Sequence, residues 1–399
     1  MTPLINIDSN AVLSTSGLLG LSYIVTNPEP YSLSRKNIDK YFDEITRGLN
    51  LLGENIIYHR LDFYEGKRVN ADNYFLYDDF LNRIEKEYFH GREYYQSFTI
   101  ISFFIDGLET LQKEYLANPF KVQEPLIASE QERINIFENN VTNAVNILNS
   151  LKGVRIIEIK EDDLRSFIFQ HINGFNQDQS IHPAKFDDIT KIGDNYFKIF
   201  CFTSTNHFST SHEVVEQDTT IPNSNFVFRG LFDELGVHFH FNHVLNQIIT
   251  IPKQDVTKSV LDIRKTSYNS WKGYKKSIED GYEILKKYED SIYDENNKAC
   301  QVHNNVIIYD SDLERLNKAT RKLNKIFSNK SLYPMEARYE FAENIFNSCV
   351  IGRANELEDK FTYMSSLKDA SPLAPVYGSY TNDNTGFVFQ DRIHRKPLV

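Results

Sequence analysis

The feature that most narrows the fold of this sequence is an order of hydrophobic periodicities that occurs twice. In the first half, "LGLSYIVT" at 19–26 reads as a strand. After "NPEP", Ser34 can cap a helix whose apolar positions Ile38, Tyr41, Phe42, Ile45, Leu49 and Leu52 recur near every 3.6 residues. Gly53 ends that helix and "ENIIYHRLDFY" follows as a strand. A helical insert at about 72–90 closes at Gly91, and "SFTIISFFI" then reads as a buried strand. Ser129 and Glu132 have capping-box spacing and open a long helix carrying Ile134, Phe137, Val141, Val145 and Leu148 on one face. "GVRIIEIK" is the next strand.

The second half repeats the order. "YFKIFCFT" (196–203) is a strand, residues 225–235 suit a short helix, and "VHFHFNHVLNQIITI" holds a second strand. A polar-aromatic insert at about 256–290 places Tyr268, Trp271, Tyr274, Ile278, Tyr282 and Leu285 at helical spacing. "QVHNNVIIYD" is a strand, and Ser311 with Glu314 opens a helix through Leu313, Leu316, Leu323 and Ile326. A short strand is expected near 331–333. With the inserts set aside, each half reads strand–helix–strand–strand–helix–strand. That predicts an α+β protein of two ferredoxin-like (βαββαβ) halves, residues 1–173 and 190–399, joined by a polar linker at 174–189. The final residues keep strand character at Phe387–Phe389 rather than the polar run common at domain ends, so this strand is expected to lead toward a further segment.

Composition excludes several classes. The net charge of −11 argues against a broad nucleic-acid footprint, which needs clustered Lys and Arg. Cys201, Cys300 and Cys349 are too far apart for a metal or redox motif, and so sparse a set suits a reducing compartment. The start lacks the basic region of a signal peptide, and no stretch nears the roughly 20 apolar residues that span a bilayer. A cytosolic protein, peripheral at a membrane complex at most, is expected.

Motifs for chemistry are thin. Gly48 and Gly53 have P-loop spacing, but Glu54 stands where Lys should meet the phosphate charge, and no G-x-G-x-x-G occurs. His238 and His240 would share one face if both lay on a strand, with His243 close by, yet no acidic or cysteine ligand is near in sequence. "HEVVE" (212–216) puts Glu216 where a zinc protease needs its second His. Asp162/Asp163 and Asp187/Asp188 fit helix starts or loops better than acid–base work. The aromatic stripe with Lys272, Lys275, Lys276 and Lys286 could stack single-stranded DNA, but packing within the domain or onto a partner is the better reading. No catalytic, cofactor or metal residue is therefore assigned.

Taken in order, several segments resemble the N-terminal region of TraG-family conjugative-transposon ATPases, relatives of the VirB-type ATPases of type IV secretion. "IIYHRLDFY" (56–64) is similar to a strand of the form V-V-H-K-x-D-x-Y, and "FHGREYY" (89–95) to F-x-G-R-x-Y-L. "NPF" (118–120) precedes a long helix ending "ILNS" (147–150). "CQVHNNVIIYD" (300–310) resembles C-x-C-H-x-N-V-I-x-W, with Val302 at the second Cys. "IFNSCVIGRA" (345–354) resembles F-F-N-S-x-P-G-N-A, with Ile351 for the Pro and Arg353 for the Asn. "GFVFQDRIHRKPLV" is similar to the strand that precedes the family's ATPase core. The resemblance implies a non-catalytic domain that docks a transfer motor onto inner-membrane components and aids oligomer assembly. ATP hydrolysis would belong to a separate P-loop core. A stand-alone adaptor derived from such an ATPase is one alternative, and a metal enzyme built on the His cluster is another.

Overall fold

The computed structural model describes residues 4–30, 32–73, 80–105, 124–176, 180–208, 216–217, 227–228, 230–271, 273–292, 297–380, 389–391, 395 and 397–398. Among them, thirteen strands form one antiparallel sheet flanked by helices, an α+β arrangement.

The first half begins with β1 (Leu4–Asp8) and β2 (Ala11–Ser14), a hairpin laid on β3 (Leu19–Thr26). Then come α1 (Arg35–Leu51), β4 (Ile56–Arg68), α2 (Phe80–Phe89), β5 (Glu93–Ile105), α3 (Glu124–Asn149), β6 (Arg155–Glu158) and α4 (Glu161–Ile172). The second half holds β7 (Ala184–Lys185), β8 (Thr190–Ile192), β9 (Asn195–Phe202), α5 (Asp233–His238) and β10 (His243–Ile251). After these follow α6 (Gln254–Ser270), α7 (Lys276–Ile292), β11 (Ala299–Asp310), α8 (Leu313–Asn329), β12 (Met335–Ala337), α9 (Glu340–Ser348) and β13 (Tyr363–Ser366).

Across the sheet the order is β1-β2-β3-β5-β4-β10-β11-β9-β8-β7, with β6 also on β3, β13 also on β11 and β12 also on β9. Each half therefore sets its strands in the same spatial sequence, β6-β3-β5-β4 on one side and β12-β9-β11-β10 on the other. The halves join edge to edge, where β4 pairs β10 from Ile56↔Ile251 to Tyr64↔His243. Continuous pairing makes the two halves one body, and both apolar cores draw residues from each.

The three central strands read as near-continuous buried runs because both sheet faces are covered. On one face Tyr58, Phe103, Leu245, Ile249, Val302 and Val306 pack beneath α1, α3, α5 and α8. On the other, Ile57, Leu61, Phe63, Val244, Ile248 and Ile307 pack beneath α4 and α9. Side chains alternate along each strand, so neighbouring residues serve opposite layers. Gly20 in β3 is required for close approach: a Cβ there would lie 2.1 Å from Phe104 Cδ1 and 2.6 Å from the Phe103 carbonyl oxygen. Gly20→Ala is expected to cost about 3 kcal/mol, the upper part of the range for overpacking. Urea unfolding measures it, and a loss below about 1 kcal/mol would show that the strand yields easily.

Several local expectations shift. The capping box at Ser129 does not open α3, which begins five residues earlier at Glu124. Asp312, not Ser311, caps α8, its carboxylate accepting from the Glu314 amide at 2.9 Å. The fourth strand of the second half is Met335–Ala337 rather than 331–333. The stretch read as a linker supplies β7 to the sheet edge and is tied down by Asn173, which accepts from the His182 amide at 2.8 Å. Residues 387–388 fall outside the described residues, and Phe389–Gln390 pairs Pro397–Leu398.

Candidate functional site

The histidines singled out in the sequence go to separate places. His238 ends α5, His240 lies in the loop beyond it, and His243 is the first residue of β10. The strand face that His238 and His240 were expected to share does not exist. Asp233 caps the turn at Gly230, accepting from its amide at 2.7 Å, and the chain coils before the strand begins. The rings meet aromatic partners instead: His238 on Phe228, His240 on Tyr95 and His243 stacked on Tyr64 at 4.4 Å. Among the described residues no group of three or more His, Cys, Asp or Glu is placed to hold a metal ion.

The remaining motif residues serve structure. Gly48 lies within α1 facing Ala144 and Leu148 of α3, so its spacing to Gly53 belongs to helix packing. Of "HEVVE", residues 212–215 lie outside the described residues, and Glu216 sits in a two-residue strand against Phe228. Asp162 and Asp163 occupy the first turn of α4, where they complement the helix dipole. Asp187 pairs Lys185, and Asp188 pairs Arg338. The three cysteines are buried free thiols, and burial pushes those of Cys201 and Cys349 up to about 12.

Two polar groupings lie inside the sheet, one per face. On the α4/α9 face His59 Nε2 bonds Asn246 Oδ1 at 2.8 Å, and Asn246 Nδ2 donates to Asn305 Oδ1 at 2.7 Å. The same oxygen meets His303 Nε2 at 3.0 Å and the Cys349 thiol at 3.5 Å. On the opposite face Arg60 holds Asp62 in a two-pronged pair at 2.8 and 2.9 Å. These groups are buried and bonded to one another, although His59 Nδ1 and Asn305 Nδ2 have no partner among the described residues, and the arrangement suits locking strands in register rather than handling a substrate.

A polar cleft of about 480 Å³ opens beside β4, lined by Glu65, Lys67, Gln170, Asn176, Asn195 and Asn242 among others. Its amides are engaged by the fold: Asn242 Oδ1 accepts from the Gly66 amide at 2.8 Å, Asn195 donates to Gly174, and Asn176 donates to the Ile192 carbonyl.

Among the described residues, a group of exposed apolar side chains lies on the α6–α7 hairpin, inserted between β10 and β11. The aromatic stripe foreseen as one helical face is divided between two helices, α6 ending at Ser270 and α7 beginning at Lys276. Leu261 and Ile292 are buried at its base with Leu285 and Tyr288 packed against them, and Tyr268 lies over Gly281. The outer face was missed from sequence. Val256, Val260 and Ile263 are 58%, 44% and 69% exposed and fall within about 60° of arc on α6. Their i, i+4, i+7 spacing is the signal the sequence carries for this face. At the tip Trp271 and Tyr274 are 57% and 75% exposed. Surface of this kind marks contact sites.

No family model matches the chain, and no curated protein matches it. No helix among the described residues is long and apolar enough to cross a membrane.

Proposed function

We propose that this chain is a docking and assembly domain of the kind that accompanies the motor core in TraG-family conjugation ATPases, bringing such a motor to the membrane-associated transfer apparatus. The observation that carries the reading is a convergence. Three separate segments of the resemblance, in β4, in β11 and just after α9, meet at one buried polar line through His59, Asn305, His303 and Cys349. Each half is inferred to be a ferredoxin-like unit, supported by the matching strand sequence on the two sides.

In this reading the outer face of α6 meets a protein component of the apparatus, and nucleotide hydrolysis belongs to a P-loop core elsewhere. The test is transfer frequency in cells carrying the element. Changing Val256 and Val260 to Asp should lower transfer at least about tenfold, the effect of roughly 1.4 kcal/mol lost at a contact, with protein level unchanged. Unaltered transfer at normal protein level would overturn the docking role of this face. Intact mass of the native product separates the two forms of the proposal. A species about twice this size has room for a second comparable domain, whereas one of this size is a stand-alone adaptor.

A further inference from the structure

We infer that the tip of the α6–α7 hairpin is an interfacial anchor for an anionic lipid surface. The inference goes beyond the docking reading and needs only the hairpin. Over residues 263–278 the sequence carries Arg264, Lys265, Lys272, Lys275 and Lys276 and no Asp or Glu, in a chain whose net charge is −11. Lys272 lies outside the described residues, and Lys265 is held by Glu289. Arg264, Lys275 and Lys276 are exposed. A basic tip on an acidic body directs the hairpin end-on toward a negative surface while the rest of the molecule is repelled from it.

The apolar groups at the same end suit that surface. Trp271 and Tyr274 pack edge to face at 5.5 Å and project from the turn, and Gly273 turns the chain there at φ +95° with nothing within 4 Å of a Cβ. Trp and Tyr favour the headgroup level of a bilayer, where the ring is apolar on one side and polar at its edge. Single-stranded nucleic acid is held by aromatics along a charged groove that tracks its backbone. This tip is a convex turn.

Trp271 is the only tryptophan of the chain, so its intrinsic fluorescence reports on the tip directly. The full chain is titrated with phosphatidylglycerol vesicles, with neutral phosphatidylcholine vesicles and with a single-stranded oligonucleotide. Anionic vesicles should move the emission to shorter wavelength and, with brominated acyl chains, quench it; neutral vesicles should do neither. Changing Lys275 and Lys276 to Ala should weaken the vesicle response on the order of 30-fold, which is about 2 kcal/mol for the pair at tenfold per 1.4 kcal/mol, with circular dichroism unchanged. Emission indifferent to anionic vesicles would overturn the inference. So would a response to the oligonucleotide with none to vesicles. Either result leaves the transfer phenotype of the Val256/Val260 change standing on its own.

Discussion

Brought from pH 7 to pH 5, the protein should unfold cooperatively and take up protons as it does so. His59 is 1% exposed, and His171, His243 and His303 are fully buried. Burial lowers the pKa of each imidazole from the ordinary 6.5, to about 4 for His59 and His303 and to about 3 for His171 and His243. In the folded state these rings stay neutral through the mildly acidic range, while in the unfolded chain they protonate near 6.5. Between those values the unfolded state binds more protons, so stability is fully present above about pH 6.5 and falls as pH drops toward the folded values. One proton of difference corresponds to about 1.4 kcal/mol per pH unit, so at pH 5 each ring has withdrawn about 2 kcal/mol. Four such losses match the 5–15 kcal/mol that an entire domain commonly has in reserve. Circular dichroism against pH, with urea titrations at pH 7 and 6, measures the effect. Equal urea midpoints at the two values would sink the idea.

One ring isolates the cause. Neither nitrogen of His171 has a hydrogen-bond partner among the described residues, and its ring sits among Phe63, Phe167, Phe175 and Phe346. His171→Phe should therefore raise stability at pH 7 by about 1–2 kcal/mol, the cost of an unsatisfied buried polar group, and move the acid midpoint lower. A rise at pH 7 without any change in the acid midpoint would assign the transition to other groups.

Legibility in the sequence followed how local each cause is. Ile38, Tyr41, Ile45 and Leu49 of α1, and Leu52 just past its end, are buried and Phe42 is half-buried, because a one-sided helix writes its own periodicity. The central strands β4, β10 and β11 were readable for another reason: covered on both faces, they read as near-continuous apolar runs. The stretch "HFHFNH" was misread because its alternation imitates a strand, while the interaction that coils it is distant. Asp233 also accepts from the Val376 amide at 2.6 Å, across 143 residues of sequence. Helix α9 left no clear sequence signal and α4 showed only its acidic first turn, because the apolar face of each is completed by strands far away in the chain. The hairpin face at Val256, Val260 and Ile263 had a signal, but a solvent-facing stripe and a core-facing stripe look alike until the partner helix is placed.

The other large effect is expected at the buried ion pair. Removing the Asp62 carboxylate with Asp62→Ala should cost about 3–5 kcal/mol, because it strands a guanidinium in the interior. Arg60 and Asp62 share one face of β4 and are 3% and 2% exposed. Asp62 also accepts from Thr99 Oγ1 at 2.6 Å, and Thr99 in turn accepts from Asn27 at 2.7 Å. Arg60 donates onward to the Pro375 carbonyl at 2.7 Å. Pro375 belongs to a segment pinned across this sheet face, with the Gly378 amide donating to Pro28 at 2.9 Å and Ser379 bonded to Ser97. The carboxylate thus orients the cation that ties this segment to the centre of the sheet. Replacing both members with Leu removes the charge along with its partner, so the double change should cost less than Asp62→Ala alone, even with Thr99 and the Pro375 carbonyl left to find other partners. Asp62→Ala should in addition expose residues 371–380 to protease at pH 7 before global unfolding, since local opening follows the loss of its central anchor. Urea unfolding of the two variants, with limited proteolysis read by mass, decides the matter. A loss under about 1 kcal/mol for Asp62→Ala, or a double change worse than the single one, would mean that the pair is not what holds this segment against the sheet.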